Sequence, residues 1–256
     1  MTPSTAYIDM EFAGIYGTHQ RMQIPIEIGV VIRQPDTDAL SFAGKAFNRT
    51  VDVELWKNIT DDVGKRIEGQ RRVFNLAYPG HSKIFDKKFH LGTAGQKEAL
   101  RAIGGVYQDL QRFMLALNHK DIGTLVFFAR RREMETFQYS RVKTDGFLIR
   151  DLQDEIRSCF HLKEHVSLDR VSLVTHFGIT RSRVSSTHFS YTLPEKYRYL
   201  IKPHKAIGDA ARMFLVDLEF HQYQEKFGEQ LTGHIEEYER RKVAEKSAPD
   251  GGNGQF

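Results

Sequence analysis

The chain has 256 residues, 40% of them hydrophobic and 27% charged, with a formal net charge of +4, enough for one large domain or two small ones with a sizeable core. No apolar run approaches the ~18 residues of a membrane span, and the N-terminus carries no signal-peptide pattern. The single cysteine, Cys159, excludes an intramolecular disulfide, so the expectation is a cytoplasmic protein with no membrane partner and enough positive charge to accept a polyanion.

TAYIDMEFAG (5–14) alternates as a strand does, with Ile8, Met10 and Phe12 to one side and Tyr7, Asp9 and Glu11 to the other. IPIEIGVVI (24–32) is almost wholly apolar and should be a central strand covered on both faces. Residues 40–47 add a third strand and make an antiparallel meander. Residues 48–94 are rich in charge and glycine, with weak periodicity, and read as an insertion with short helices. Apolar residues from Leu100 to Leu117 recur at helical spacing, which predicts a helix over 94–117.

TLVFFA (124–129) is a buried strand, 133–142 a helix and 147–149 a short last strand. Helices follow over 151–160 and 168–176, the second capped by Ser167. Residues 178–203 are rich in Ser, Thr, Tyr and Arg and read as loop. Helices over 205–227 and 228–246 close a single domain of residues 1–246, and 247–256 is a disordered tail by composition. A strand meander followed by alternating strands and helices argues α/β with a mixed sheet.

Asp9 and Glu11 stand two apart on one strand face, with Cβ atoms about 7 Å apart. Such a pair could sit on a solvated face, but the neighbouring strand is apolar on both sides, which places this one inside. A third acid is equally out of place. On the helix after 205, Ile207, Ala210, Ala211, Phe214, Leu215 and Leu218 form one apolar stripe. Ala206, Met213, Val216 and Phe220 form a second, and Asp209 falls within it. The remaining polar face is narrow: Lys205, Gly208, Arg212 and Glu219. An unpaired carboxylate so placed costs several kcal/mol, on the order of the burial penalty for a charge, so a cation is required. Mg²⁺ or Mn²⁺ is the expected answer, because hard divalent ions take clustered carboxylate oxygens. His204, just ahead of the helix, can take a proton from water near neutral pH; its plainer role is that of a loop histidine.

Asp9-Met10-Glu11 on the first strand, with His204-Lys205-Ala206-Ile207-Gly208-Asp209 late in the chain, resembles the DEDDh class of 3′-to-5′ exonucleases, the DnaQ-like or RNase T-like superfamily. RDLQDEIRSCFHL and SLDRVSLVTHFGI also resemble helices of that family. The resemblance covers 5–45 and 94–222. It implies an RNase H-like sheet of five strands, three antiparallel and then two parallel, flanked by helices. It also implies two-ion phosphodiester hydrolysis, with Asp9 bridging both ions, Glu11 and Asp209 on the first and His204 as general base. Phe12, Ala13 and Gly14 match where the family holds the terminal nucleotide. One position departs from the pattern: laid on VFFARRREMETF, the family's second-motif aspartate is Glu133, with Ala129 at the small or amide position. Glutamate keeps the charge but adds a methylene, and Mg²⁺ tolerates little misplacement. Glu135 lies two residues further round the helix. Apart from metal binding, Glu133 suits a helix N-terminus electrostatically.

Between Thr180 and Lys205, six basic residues face one acid, Glu195, with Phe189, Tyr191, Tyr197 and Tyr199 interleaved. Arg181, Arg183, Tyr197, Arg198 and Lys202 are the candidates for phosphate contacts and base stacking on a single strand. The expected partner is single-stranded nucleic acid with a free 3′ end, and helices 94–117 and 228–246 offer faces for a homodimer or a larger nucleoprotein complex. Two rivals stand beside this reading. His161-Leu-Lys-Glu164-His165 matches the inverted zinc-peptidase signature, without an evident third ligand. Alternatively, the Glu133 and Ala129 departures describe a catalytically weak or inactive exonuclease-like domain that binds nucleic acid or a protein.

Overall fold

A computed structural model describes residues 3–16, 21–35, 40–47, 93–118, 121–198, 201 and 205–247. β1 (Ser4–Tyr16) and β2 (Arg21–Arg33) pair antiparallel, and β3 (Leu40–Ala46) adds antiparallel to β2. β4 (Ile122–Phe127) lies parallel to β1, and β5 (Leu148–Asp151) parallel to β4. The order β3-β2-β1-β4-β5 is the expected RNase H-like mixed sheet, with β1 at its centre.

Alternation along the strands divides the apolar residues between two cores. Ala6, Ile8, Met10 and Phe12 of β1, with Ile26, Ile28, Val30 and Ile32 of β2, pack beneath α1 (Thr93–Asn118) and α2 (Arg131–Tyr139). Tyr7, Val31, Phe42 and Val126 point the other way, onto α5 (Ala206–Gln222). Every residue of α5 from Ala206 to Phe220 is buried, because α3 (Leu152–Cys159), α4 (Leu168–Val174) and α6 (Gln224–Ser247) enclose it from behind. Each large apolar side chain so enclosed contributes about 1.5–3 kcal/mol. Asp9 and Glu11 share the Tyr7 face, so they look toward α5.

Three local expectations are corrected. Residues 178–203 are not simply loop: β6 (Gly178–Ile179), β7 (Arg183–Ser185) and β8 (Ser190–Thr192) form a small antiparallel sheet, followed by a 3₁₀ turn at Glu195–Tyr197. Strands of two or three residues carry no readable period. This sheet is held instead by buried Val184 and Leu193 and by His188, whose backbone N–H and ring donate to Glu219 at 2.8 and 2.7 Å. The last two helices part at Tyr223, not at 227, and Gly228 lies inside α6. A Cβ on Gly228 would stand 2.4 Å from the Phe160 ring, so that glycine marks close packing and not a break. Finally, Arg212 and Glu219, read as polar-face residues, are buried, at 7% and 3% exposure.

The insertion expected at 48–94 falls outside the described residues as far as 92, and so does the tail beyond Ser247. No helix among the described residues is long and apolar enough to cross a membrane.

Candidate metal centre

The centre forms where α5 meets β1 and β2. Asp9 pairs across the sheet with Gly29, and the first turn of α5 rests directly on that glycine. A Cβ there would fall 2.2 Å from the Ala206 carbonyl carbon, so a side chain at this position would exclude the helix. With α5 so close, one carboxylate oxygen each from Asp9, Glu11 and Asp209 lie within 4.8 Å of one another. A shift of register immediately after Glu11 sets Phe12 opposite Pro25, leaving Ile26 as an extra residue on β2. Such bulges re-aim strand side chains, and a proline inside an apolar run is their sequence signal.

Enclosure and like charge act together on these groups. Burial raises Asp9 well above the usual carboxylate range, and Asp209, Glu11, Glu133 and Glu27 push it further. Glu11 is raised to about 8 by burial, then by Asp209, Glu27 and Glu133, with Lys205 opposing. Glu27 is a fourth acid that the sequence reading missed. It pairs directly with Glu11 across the sheet, is 6% exposed, and ion-pairs with Lys205 at 3.4 Å. It also accepts from the Ala206 backbone, tying the start of α5 to β2; burial raises its pKa while Lys205 lowers it. A glutamate within IPIEIGVVI carried the same signal as Asp209 within its helix.

Glu133 lies in the first turn of α2, 7% exposed, and its Oε2 is buried without a hydrogen-bond partner. It is not one of the three mutually close acids, yet it is near enough to raise both Asp9 and Glu11. Burial raises Glu133 itself to about 7. The chain leading into α2 is held by Asp151, a second residue the sequence reading missed. Its carboxylate accepts from the amides of Ala129 and Arg130 at 3.1 and 2.9 Å, and it also caps α3. Ala129 takes a left-handed φ of 63°, a conformation costly for a residue with a Cβ. At the end of β5, Asp151 looked like a helix start, and only the fold brings residues 129 and 130 to it.

These donors suit a hard divalent ion. All are carboxylate oxygens, they are crowded, and one buried oxygen of Glu133 is left without a partner. Asp9, Glu11 and Asp209 would hold one ion, and Glu133 would serve a second from α2.

The remaining candidates fall variously. His204 and Lys202 lie outside the described residues. Phe12 is 7% exposed, in the core beneath α1, while Ala13 and Gly14 continue the β1 pairing opposite Ile24 and Gln23. Arg181, in the bend before β7, and Arg183, at its start, are exposed, and Arg198 is half-buried. Tyr197 packs against Phe42, ring centres 5.6 Å apart. His161 and His165 are exposed and belong to neither of the metal-capable groups among the described residues; His165 contacts Arg157 at 2.9 Å instead. The second such group, Glu155, Asp217 and His221, already holds a cation. Arg150 lies 2.8 Å from both Asp217 and His221 and 2.5 Å from Glu155, and the Tyr7 hydroxyl donates to Asp217 at 2.6 Å.

Compared with known proteins, the chain matches no family model, no curated protein and no solved structure, so what it does must be argued from this geometry.

Proposed function

We propose that the protein is a metal-dependent 3′-to-5′ exonuclease that hydrolyses phosphodiester bonds from the 3′ end of single-stranded DNA or RNA. The observation that carries this is the convergence of Asp9, Glu11 and Asp209, two elements far apart in the chain, on one face of an RNase H-like sheet. Acids at about 8 and about 7 in this setting hold protons that a divalent cation would displace. Two Mg²⁺ or Mn²⁺ ions, when bound, supply the Lewis acidity and charge neutralisation that phosphoryl transfer requires. Asp9, Glu11 and Asp209 would hold the first ion, with Asp9 also serving the second beside Glu133 of α2. His204, one residue before Lys205 in the chain, takes the proton of the attacking water. Arg181, Arg183, Arg198 and Lys202 meet the phosphates, and Tyr197 is the candidate for base stacking. The compartment proposed is the reducing cytoplasm, in line with one unpaired cysteine.

One observation favours a second reading. Glu133 stands outside the three-acid group, as it would in a catalytically weak or inactive domain that binds nucleic acid or a protein. Incubating the protein with 3′-labelled and 5′-labelled strands, DNA and RNA, in Mg²⁺, Mn²⁺ or EDTA separates the two. Metal-dependent stepwise loss of 3′ nucleotides, abolished by Asp9→Ala, is the outcome expected of the enzyme. Binding without degradation in either metal would establish the alternative.

A further inference from the structure

α5 carries a charge that the chemistry above does not use. Arg212 lies one turn beyond Asp209, and its side chain is 8% exposed. Nη2 stands 3.4 Å from Asp209 Oδ1. Nη1 pairs with Asp169 on α4, a residue whose own side chain is 65% exposed. The guanidinium carbon is 5.5 Å from the centre of the Phe177 ring, and Nε has no hydrogen-bond partner. A guanidinium enclosed to this degree needs anionic partners. It is divided between an acid of the metal centre and an acid on the surface.

We propose that Arg212 is a positioning residue for Asp209, fixing that carboxylate through a chain Asp169–Arg212–Asp209 so that divalent metal affinity depends on it. The proposal rests on the metal-centre reading. Two effects of the guanidinium oppose each other. Its charge beside a ligand oxygen repels a divalent ion, whereas its planar fork, with Nη1 on Asp169 and Nη2 3.4 Å from Asp209, ties that carboxylate to α4. Asp169 decides between them. The Arg212–Asp169 pair is close to neutral, which weakens the repulsion at the centre but leaves the orientation intact. Groups that orient metal ligands typically matter by about 10- to 100-fold in affinity. The sign of the change on mutation therefore reports which effect is present.

The test is Mn²⁺ titration of the metal-free full chain, by calorimetry or by the paramagnetic signal of free Mn²⁺. Arg212→Met and Arg212→Lys are each expected to bind Mn²⁺ about 10-fold more weakly than the parent. Lysine should fail to rescue, since it keeps the charge and lacks the fork. A repulsive role alone would instead tighten binding in Arg212→Met and leave Arg212→Lys unchanged, and either result overturns the proposal. If neither variant folds by circular dichroism, Asp169→Asn, at an exposed side chain, takes their place. There a loss of several-fold supports the chain of contacts, and unchanged affinity overturns it. A parent protein that binds no Mn²⁺ at all would refute the metal centre itself; a parent that binds while the variants bind equally well refutes only the role of Arg212.

Discussion

Gly29 and Ile207 meet backbone to backbone: a Cβ on Gly29 would lie 2.0 Å from the Ile207 amide nitrogen. Since Gly29 pairs with Asp9, and Asp209 follows two residues after Ile207, this single contact brings the acids of strand and helix together. Gly29→Ala forces α5 off the sheet and should cost about 3 kcal/mol or more in urea denaturation, at the upper end of overpacking effects. Gly104→Ala is the control. Nothing lies within 4 Å of a Cβ at Gly104 on α1, and alanine there should stabilise by about 0.5–1 kcal/mol through helix propensity.

The crowding of acids predicts an effect of metal on stability. Mg²⁺ or Mn²⁺ should raise the thermal midpoint of the protein at pH 7.5 in a concentration-dependent way, and EDTA should reverse it. Asp209→Asn removes a repelling charge from the acid cluster but also an anionic partner of buried Arg212, so these two effects oppose each other in the metal-free midpoint, while the variant's response to metal should disappear. A variant that still responds to metal would show that Asp209 is not a ligand.

The Arg150 network predicts a pH dependence away from the metal centre. The hydrogen bond to Asp217 raises His221 above its ordinary value, so its contribution is fully present below about 6.5 and is lost as pH rises through the raised value. Burial pushes Asp217 up, but hydrogen bonds from His221 and Arg150 outweigh it and hold the carboxyl below its ordinary value. That contribution is present above about 3.8 and fades as pH falls through the lowered value. The charged or titratable groups facing His221 are Asp217, Arg150 and Glu155. The His221 side chain is half-exposed, so its share is on the order of 1 kcal/mol or less. Denaturation from pH 5 to 9 should show a loss above about pH 6.5 that is absent in His221→Gln.

At Glu133 the prediction concerns rate. Glu133→Asp removes the extra methylene and should keep or raise exonuclease activity, measured as initial release of 3′ nucleotides in Mg²⁺. A loss of a hundredfold or more would mean that the second-motif acid is some other residue.

What was readable in the sequence follows from periodicity. Alternation put Tyr7, Asp9 and Glu11 on one face of β1 and Ile8, Met10 and Phe12 on the other, and the structure keeps that division. The antiparallel meander and a mixed sheet follow from the order of strands and helices along the chain, whereas the arrangement of three antiparallel and two parallel strands was what the family resemblance implied. The short strands β6 to β8 could not be read, since their order comes from Val184, Leu193 and the His188–Glu219 contacts. The partners of each acid were equally out of reach. Glu27 with Lys205 is a pairing across 178 positions, Asp151 reaches back more than twenty residues to the Ala129 and Arg130 amides, and Arg212 turns inward because α4 supplies Asp169. Residue types and spacing determined which side chains carry charge and, on the long strand β1, which face each occupies. Which charges meet was decided by tertiary packing alone, because Coulomb energy depends on distance in space and those distances are set where α5 closes onto Gly29.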